Sequence, residues 1–277
     1  MAEQFQKKKK YGQNFLNNPA IPERIVRESG VGEDCGVLEI GPGLGALTLK
    51  LAPAVRKVVA VEIDHELIEP LTEKFSAFPN ITLIEQDIMK TDLDALMKEQ
   101  FAGMPVCVCA NLPYYITTPI LMKLLESKCG FKSITVMVQK EVANRLTSGS
   151  GDPDYGAITA SISYYASVKK LFTVTAGNFS PAPKVDSAVI RLDLYDTPPV
   201  SVVDEALFFE VIKAAFLQRR KTLSNALSSY FPDLSKADCT AILVGCGLPA
   251  EIRGEALPIE RFAEIANSIA QKRKKNV

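Results

Sequence analysis

The sequence carries a single histidine and no surplus of charge, with 32 Lys and Arg against 32 Asp and Glu. That histidine, His65, follows Asp64 at what reads as a helix start, so a structural role is expected and histidine-based catalysis is set aside. No apolar run approaches the roughly 18–20 residues of a membrane span, which argues against a membrane partner. Lys7, Lys8, Lys9 and Lys10 lead straight into polar residues, without the apolar core of a secretory signal, so a cytoplasmic protein is expected. Cys107 and Cys109 alternate with Val106 and Val108 and would share one face of a strand. A metal site needs two such pairs or histidine partners, so buried reduced thiols and no metal are expected. Neutral net charge does not advertise a nucleic-acid partner. The basic residues are nonetheless gathered, at Lys7 to Lys10, at Arg219-Arg220-Lys221 and at Lys272-Arg273-Lys274-Lys275, each either a solvated surface or an RNA contact.

What is present has a clear rhythm. Over the first two-thirds, short apolar runs alternate with amphipathic stretches, the pattern of a parallel sheet flanked by helices. Strands are expected at 37–40, 57–62, 81–85, 106–110, 133–138, 171–175 and 188–194, with the last two forming an antiparallel hairpin at one edge. Helices are expected at 19–28, 44–52, 65–75, 117–125 and 141–147. Thr197-Pro198-Pro199-Val200 breaks the rhythm, because paired prolines continue neither element. Only helical patterns follow, at 204–217, 222–230, 236–244 and 259–271, with Ser235 and Pro258 as starts of the last two. The reading is an α/β catalytic domain over 1–197 with a seven-stranded Rossmann-like sheet, then a small all-helical domain over 198–277.

Val37-Leu38-Glu39-Ile40-Gly41-Pro42-Gly43-Leu44-Gly45 is a strand, a glycine-rich turn and a helix start. Glycines let the backbone turn sharply and approach a ligand that a Cβ would exclude. One strand later Glu62 ends an apolar run, placed to accept hydrogen bonds from ribose hydroxyls. Asp87 closes the third strand, where it either meets an adenine amino group or caps a turn. These features point to a nucleoside ligand. A dinucleotide site usually spaces its glycines G-x-G-x-x-G against a pyrophosphate. The G-x-G-x-G spacing here favours S-adenosylmethionine, which has no phosphate, without excluding the dinucleotide. Glu39 is assigned no direct ligand contact.

The fourth strand ends in Asn111-Leu112-Pro113-Tyr114. Adenine N6 is a poor nucleophile because its lone pair is delocalised into the ring. The Asn111 side-chain oxygen and the Leu112 carbonyl can both accept from the N6 amino group, favouring a pyramidal nitrogen that can attack a sulfonium methyl. Pro113 stiffens the turn, and Tyr114 offers a ring on which the base can stack. No strong general base is needed, since the product ammonium is acidic.

Four segments occur in order: Tyr11-Gly12-Gln13-Asn14-Phe15-Leu16, Glu39-Ile40-Gly41-Pro42-Gly43-Leu44-Gly45, Asn111-Leu112-Pro113-Tyr114-Tyr115-Ile116, and Phe179-Ser180-Pro181-Ala182-Pro183-Lys184-Val185-Asp186-Ser187. Together they resemble the small-subunit (16S) ribosomal RNA adenine N6,N6-dimethyltransferase family, associated with kasugamycin sensitivity, from about Lys9 to the chain end. The resemblance implies a class I methyltransferase that dimethylates two adjacent adenines in a hairpin near the 3′ end of 16S rRNA. It further implies a pre-30S ribosomal particle as partner, late in assembly, and a monomeric enzyme. By the same resemblance Asn14 and Leu16 would close over the methionine end of S-adenosyl-L-methionine, and Gly41 and Gly43 would line the turn. Glu62 would hold the ribose, Asp87 would meet the adenine, Asn111 would bridge donor and target, and Phe179 would be a second aromatic wall for the flipped base. Arg219, Arg220 and Lys221 would contact RNA phosphates from the helical tail. The rivals are the erythromycin-resistance methyltransferases of large-subunit rRNA and a non-catalytic assembly factor, with a nicotinamide dehydrogenase more distant.

Overall fold

The computed structural model describes residues 14–275, so Lys7 to Lys10 and Tyr11-Gly12-Gln13 lie outside the described residues. The chain divides into two compact units. One runs to Ala143 and resumes over Val168–Leu194; the other takes Asn144–Ser167 and continues from Tyr195.

The first unit opens with β1 (Phe15–Leu16), α1 (Ala20–Ser29), β2 (Gly36–Ile40), α2 (Thr48–Leu51), β3 (Lys57–Glu62) and α3 (His65–Phe75). It continues through β4 (Ile81–Glu85), α4 (Leu93–Phe101), β5 (Val106–Asn111), α5 (Thr117–Glu126), β6 (Ser133–Gln139) and α6 (Lys140–Leu146). After α7 (Ala157–Tyr165), which packs in the second unit, the chain forms β7 (Ala166–Val174), β8 (Phe179–Ser180) and β9 (Ser187–Leu194).

The seven-stranded sheet has the order β4-β3-β2-β5-β6-β9-β7. Neighbours from β4 to β6 are parallel, and β9 runs antiparallel to β6 from Ser133↔Asp193 to Gln139↔Ser187. Every residue of β2 and the first five of β5 are buried, as expected for parallel strands covered on both faces. From β2 the chain builds outward to β3 and β4, then returns to place β5 on the other side of β2. That reversal opens a crevice beyond the carboxyl ends of β2 and β5, where open α/β sheets bind ligands. A separate two-stranded ribbon pairs β1 with β8 through Phe15↔Ser180 and Leu16↔Phe179.

Three local features differ from the sequence reading. The helix expected at 44–52 shrinks to α2 plus a 3-10 turn, Ala52–Ala54, because Gly45 sits at φ 77° and Pro53 follows. The short helix α4, capped by Asp92 accepting from Ala95 N, was not anticipated. Nor was α7, whose Ala160 and Tyr164 bury themselves among the helices of the second unit.

That second unit adds α8 (Glu205–Leu217), α9 (Leu223–Tyr230), α10 (Lys236–Gly245) and α11 (Ile259–Lys275). Its core gathers Tyr155, Tyr164, Phe208, Ile212, Leu227 and Phe262. It therefore takes in residues 144–167, upstream of the prolines at which the sequence was divided. Burying Tyr155, Ala160 and Tyr164 in this cluster is the physical reason. Asp204 caps α8 through Leu207 N, and Ser235 caps α10 in a reciprocal box with Asp238. Asp238 also pairs with Lys272 at 2.8 Å, which, with the Ser235 bonds, brings its carboxyl down to about 2.

Candidate active site

One cleft at the carboxyl ends of β2, β3, β4 and β5 is lined by Asn14, Leu16, Gly41, Gly43, Glu62, Asp87, Asn111, Leu112, Pro113 and Tyr114. The sequence reading thus named residues from five separated segments that the fold brings to one place. Phe179 is the exception. It is buried against the sheet with Phe172, Val174 and Val189 and is not among the cleft-lining residues. In β8 it pairs with Leu16, and stacking on a base would require its ring to leave that cluster.

On the β2–β3 side the turn is held by backbone bonds, Gly41 N to Val61 O at 2.9 Å and Gly45 N to Pro42 O at 2.8 Å. Gly43 has φ 57°, and a Cβ there would lie 3.1 Å from the Phe15 ring, so both conformation and space call for glycine. Glu62 is anchored by three backbone donors: Oε1 accepts from Ile63 N and Asp64 N, each at 2.9 Å, and Oε2 accepts from Gly43 N at 3.2 Å. A carboxylate offers about four acceptor sites, so one remains on Oε2. Burial raises the Glu62 carboxyl, and these three donors oppose the shift. Glu39 lies fully buried in the cleft wall, its Oε2 has no hydrogen-bond partner among the described residues, and burial pushes its carboxyl up to about 8 against the opposing influence of Thr48. Asp87 Oδ1 accepts from Met89 N at 2.9 Å, the turn-capping role weighed from the sequence, while Oδ2 has no partner among the described residues.

On the β5 side Asn111 Nδ2 donates to the Asn14 carbonyl across 3.4 Å. No hydrogen bond reaches Asn111 Oδ1 or the Leu112 carbonyl among the described residues. Both residues, adjacent in the chain, line the cleft. The Tyr114 hydroxyl meets Ser187 Oγ at 2.6 Å. Leu44, Ile63 and Tyr115, each at least 42% exposed, add an apolar rim that the sequence reading did not assign. Ile63 could have been noticed as an apolar residue left outside directly after the strand-ending Glu62. His65 is exposed, pairs with Glu85 at 2.9 Å and stands outside the cleft lining.

The charge of the cleft answers what glycine spacing left open. Its described lining includes Glu39, Glu62 and Asp87 and no Lys, Arg or His. With Glu39 kept protonated at neutral pH by its burial, Glu62 and Asp87 are the groups that favour a cation over a pyrophosphate here. Among the described residues no group of three or more His, Cys, Asp or Glu is placed to hold a metal ion. No described helix is long and apolar enough to cross a membrane.

A family model for ribosomal RNA adenine dimethylase matches residues 4–271. The chain belongs to that family. It is 47% identical over 269 residues to ribosomal RNA small subunit methyltransferase A of Alkaliphilus oremlandii, covering 97% of this chain and 94% of that protein. Identity to the protein of the same name from Lachnoclostridium phytofermentans is also 47%, covering 96% and 92%. The fold superposes on a dimethyladenosine transferase from Plasmodium falciparum with a TM-score of 0.78 at 26% identity, covering 95% of this chain and 98% of that one. For the 23S rRNA methyltransferase ErmE the TM-score is 0.71 at 26% identity, covering 93% and 100%. As a member of the dimethylase family the chain is a methyltransferase, and its sheet is the Rossmann-like one of class I enzymes.

In the helical unit Arg219, Arg220 and Lys221 form the exposed turn between α8 and α9. Arg219 Nη2 donates to the Pro153 carbonyl at 3.0 Å and pairs with Glu255 at 3.2 Å, so it holds its own unit together. Arg220 and Lys221 have no ion-pair partner among the described residues.

Proposed function

We propose that the enzyme transfers methyl groups from S-adenosyl-L-methionine to N6 of two adjacent adenines in a hairpin near the 3′ end of 16S rRNA, giving N6,N6-dimethyladenosines. One observation carries this reading: in a member of this family, Asn14, Glu62, Asp87, Asn111 and Tyr114 gather around a cleft whose described lining has carboxyl groups and no Lys, Arg or His. The Glu62 and Asp87 carboxyl groups fit a positively charged donor, and buried Glu39, which keeps its proton at neutral pH, adds no charge to them. Once bound, that donor supplies a methyl group activated by its sulfonium.

The chain's own residues do the rest. Gly41 and Gly43 keep side chains out of the turn, the remaining Oε2 site of Glu62 takes a ribose hydroxyl, and Asp87 Oδ2 is available to the donor's adenine. Asn14 and Leu16 close the methionine end. Asn111 Oδ1 and the Leu112 carbonyl accept the two N6 hydrogens of the target and so turn its lone pair out of the ring plane. Tyr114 stacks on the target base. Positioning and relief of charge supply the acceleration, and the proton leaves from the product ammonium to water, with no metal needed. After the first transfer one N–H remains, so the second leaves one acceptor unused and the amine must rotate to fit its methyl.

Arg220 and Lys221 would contact phosphates of the rRNA, while Arg219, paired with Glu255, holds the turn that presents them. The reading places the enzyme in the cytoplasm, as a monomer acting on a pre-30S particle whose late assembly it monitors. The small-subunit relatives, matched over nearly their whole length, support this target over the 23S rRNA of ErmE. Labelled S-adenosylmethionine incubated with undermethylated 30S particles, 50S particles and naked 16S rRNA tests it. N6-labelled adenines in the small-subunit RNA are expected, and label confined to 50S particles would overturn the substrate.

A further inference from the structure

We propose that Ser187 is a positioning residue for methyl transfer, its buried hydroxyl holding the Tyr114 ring at the angle on which the target adenine stacks. The inference rests on the adenine-N6 reading and adds to it a residue to which no role was assigned from sequence.

The Tyr114 hydroxyl and Ser187 Oγ lie 2.6 Å apart, at the short end for such a bond, between residues 73 positions apart. The near end of Tyr114 is fixed by the entry to α5: Ile116 N and Thr117 Oγ1 both donate to the Pro113 carbonyl, at 3.2 and 3.0 Å. The far end meets a fixed point. Ser187 is fully buried as the first residue of β9 and lies in register with Gln139 of β6. Its neighbour Asp186 is held twice, by Lys140 N donating to its carbonyl at 2.9 Å and by Ala176 N donating to Oδ1 at 3.1 Å. The Ser187 hydroxyl therefore moves with the sheet and not with a loop.

A tyrosine ring held only through Cβ turns about two bonds, and a hydrogen bond at its para oxygen restrains both. Burial raises the Tyr114 phenol, with the Ser187 bond opposing, so the phenol stays protonated near neutral pH and the bond persists. The tether also links two sequence motifs physically: the Asn111–Tyr114 wall leans on the last residue of the segment that began at Phe179. A displacement near 1 Å at the reacting centre can cost on the order of 100-fold in rate. Losing one tether, with the turn intact, is expected to cost about a tenth of that.

The test is single-turnover transfer from saturating labelled S-adenosylmethionine to undermethylated 30S particles, for wild type, Ser187→Ala, Tyr114→Phe and the double variant. Each single change should slow transfer roughly tenfold, about 1.4 kcal/mol, with donor affinity by calorimetry within about twofold of wild type. The double variant should be no slower than either single, since both remove the same bond. Ser187→Thr, which keeps a hydroxyl, should recover most of the rate. Wild-type rates in either single variant, full additivity in the double, or loss of donor affinity in step with rate would each overturn the proposal. Tyr114→Phe leaves the sheet untouched and decides the matter if Ser187→Ala fails to fold. Should only 50S particles accept label, the substrate reading falls, and the same four variants run on those particles still decide the role of Ser187.

Discussion

The two units invest their polar groups differently. In the α/β unit the cleft keeps acceptors uncommitted: Asn111 Oδ1, the Leu112 carbonyl, Asp87 Oδ2 and one site on Glu62 have no partner among the described residues. In the helical unit several of the strong charges, including one or two from each basic run, are already matched: Arg219 with Glu255, Arg261 with Glu264, Lys272 with Asp238 and Arg273 with Asp233. A basic run read from sequence therefore overstates what is left for RNA. Counting unspent groups is a better guide than counting residues, because a group already bonded must break that bond before it can bind anything else.

The strongest test removes an unspent acceptor. Asn111→Ala should lower methyl transfer at least about 100-fold while calorimetry still detects the donor, and near-normal turnover would end this account of N6 activation. Next comes Glu39, buried with no hydrogen-bond partner for Oε2 among the described residues. Its carboxyl stands at about 8 against an ordinary 4.5, so the folded state holds a proton that the unfolded chain releases. Its contribution to stability is thus fullest below about 4.5 and is lost as pH rises toward 8, at up to about 1.4 kcal/mol per pH unit. Glu39→Gln should flatten this fall, and melting curves at pH 5 and pH 8 that shift alike in both proteins would refute it.

A purely steric effect should be of similar or smaller size. Gly45 has φ 77°, and a Cβ there would lie 2.8 Å from the Phe75 ring. Gly45→Ala should cost about 2 kcal/mol in chemical denaturation; an unchanged midpoint would mean the turn yields freely. The smallest effects separate neighbours in the helical turn. Arg220→Ala should weaken rRNA binding a few-fold and reduce the salt slope by about 1, with melting unchanged. Arg219→Ala should instead lower stability slightly, by under about 1 kcal/mol for so exposed a pair, read as a small drop in melting temperature. If the two variants behave alike, the distinction between spent and unspent charge fails.

Much of this was legible because parallel strands buried on both faces leave continuous apolar runs, and each run stops where the cleft begins. Glu62, Asp87 and Asn111 stand at or just beyond such ends. Where burial is not periodic the sequence said less. Helix α7, Ala-Ile-Thr-Ala-Ser-Ile-Ser-Tyr-Tyr, mixes β-branched and hydroxyl residues with no polar face, so it carries no helical stripe, and its allegiance to the second core is a tertiary fact. The Phe179 segment was found through its motif, yet a motif does not say which of its side chains turns inward. The ring is buried, and Ser187 at the other end reaches Tyr114.

The ribbon of β1 and β8 has a consequence in time. Asn17 N donates to the Asn178 carbonyl at 3.0 Å, and Asn18 Nδ2, 160 positions from its partner, donates to Asn178 Oδ1 at 2.8 Å. Such a distant pairing closes late, after the loop between its ends has been organised. As the chain emerges during synthesis, the strand that follows Asn14 waits for its partner until residues 178–180 appear. The β1 edge of the cleft, which carries Leu16, therefore has its partner only after β2 to β7 have been made.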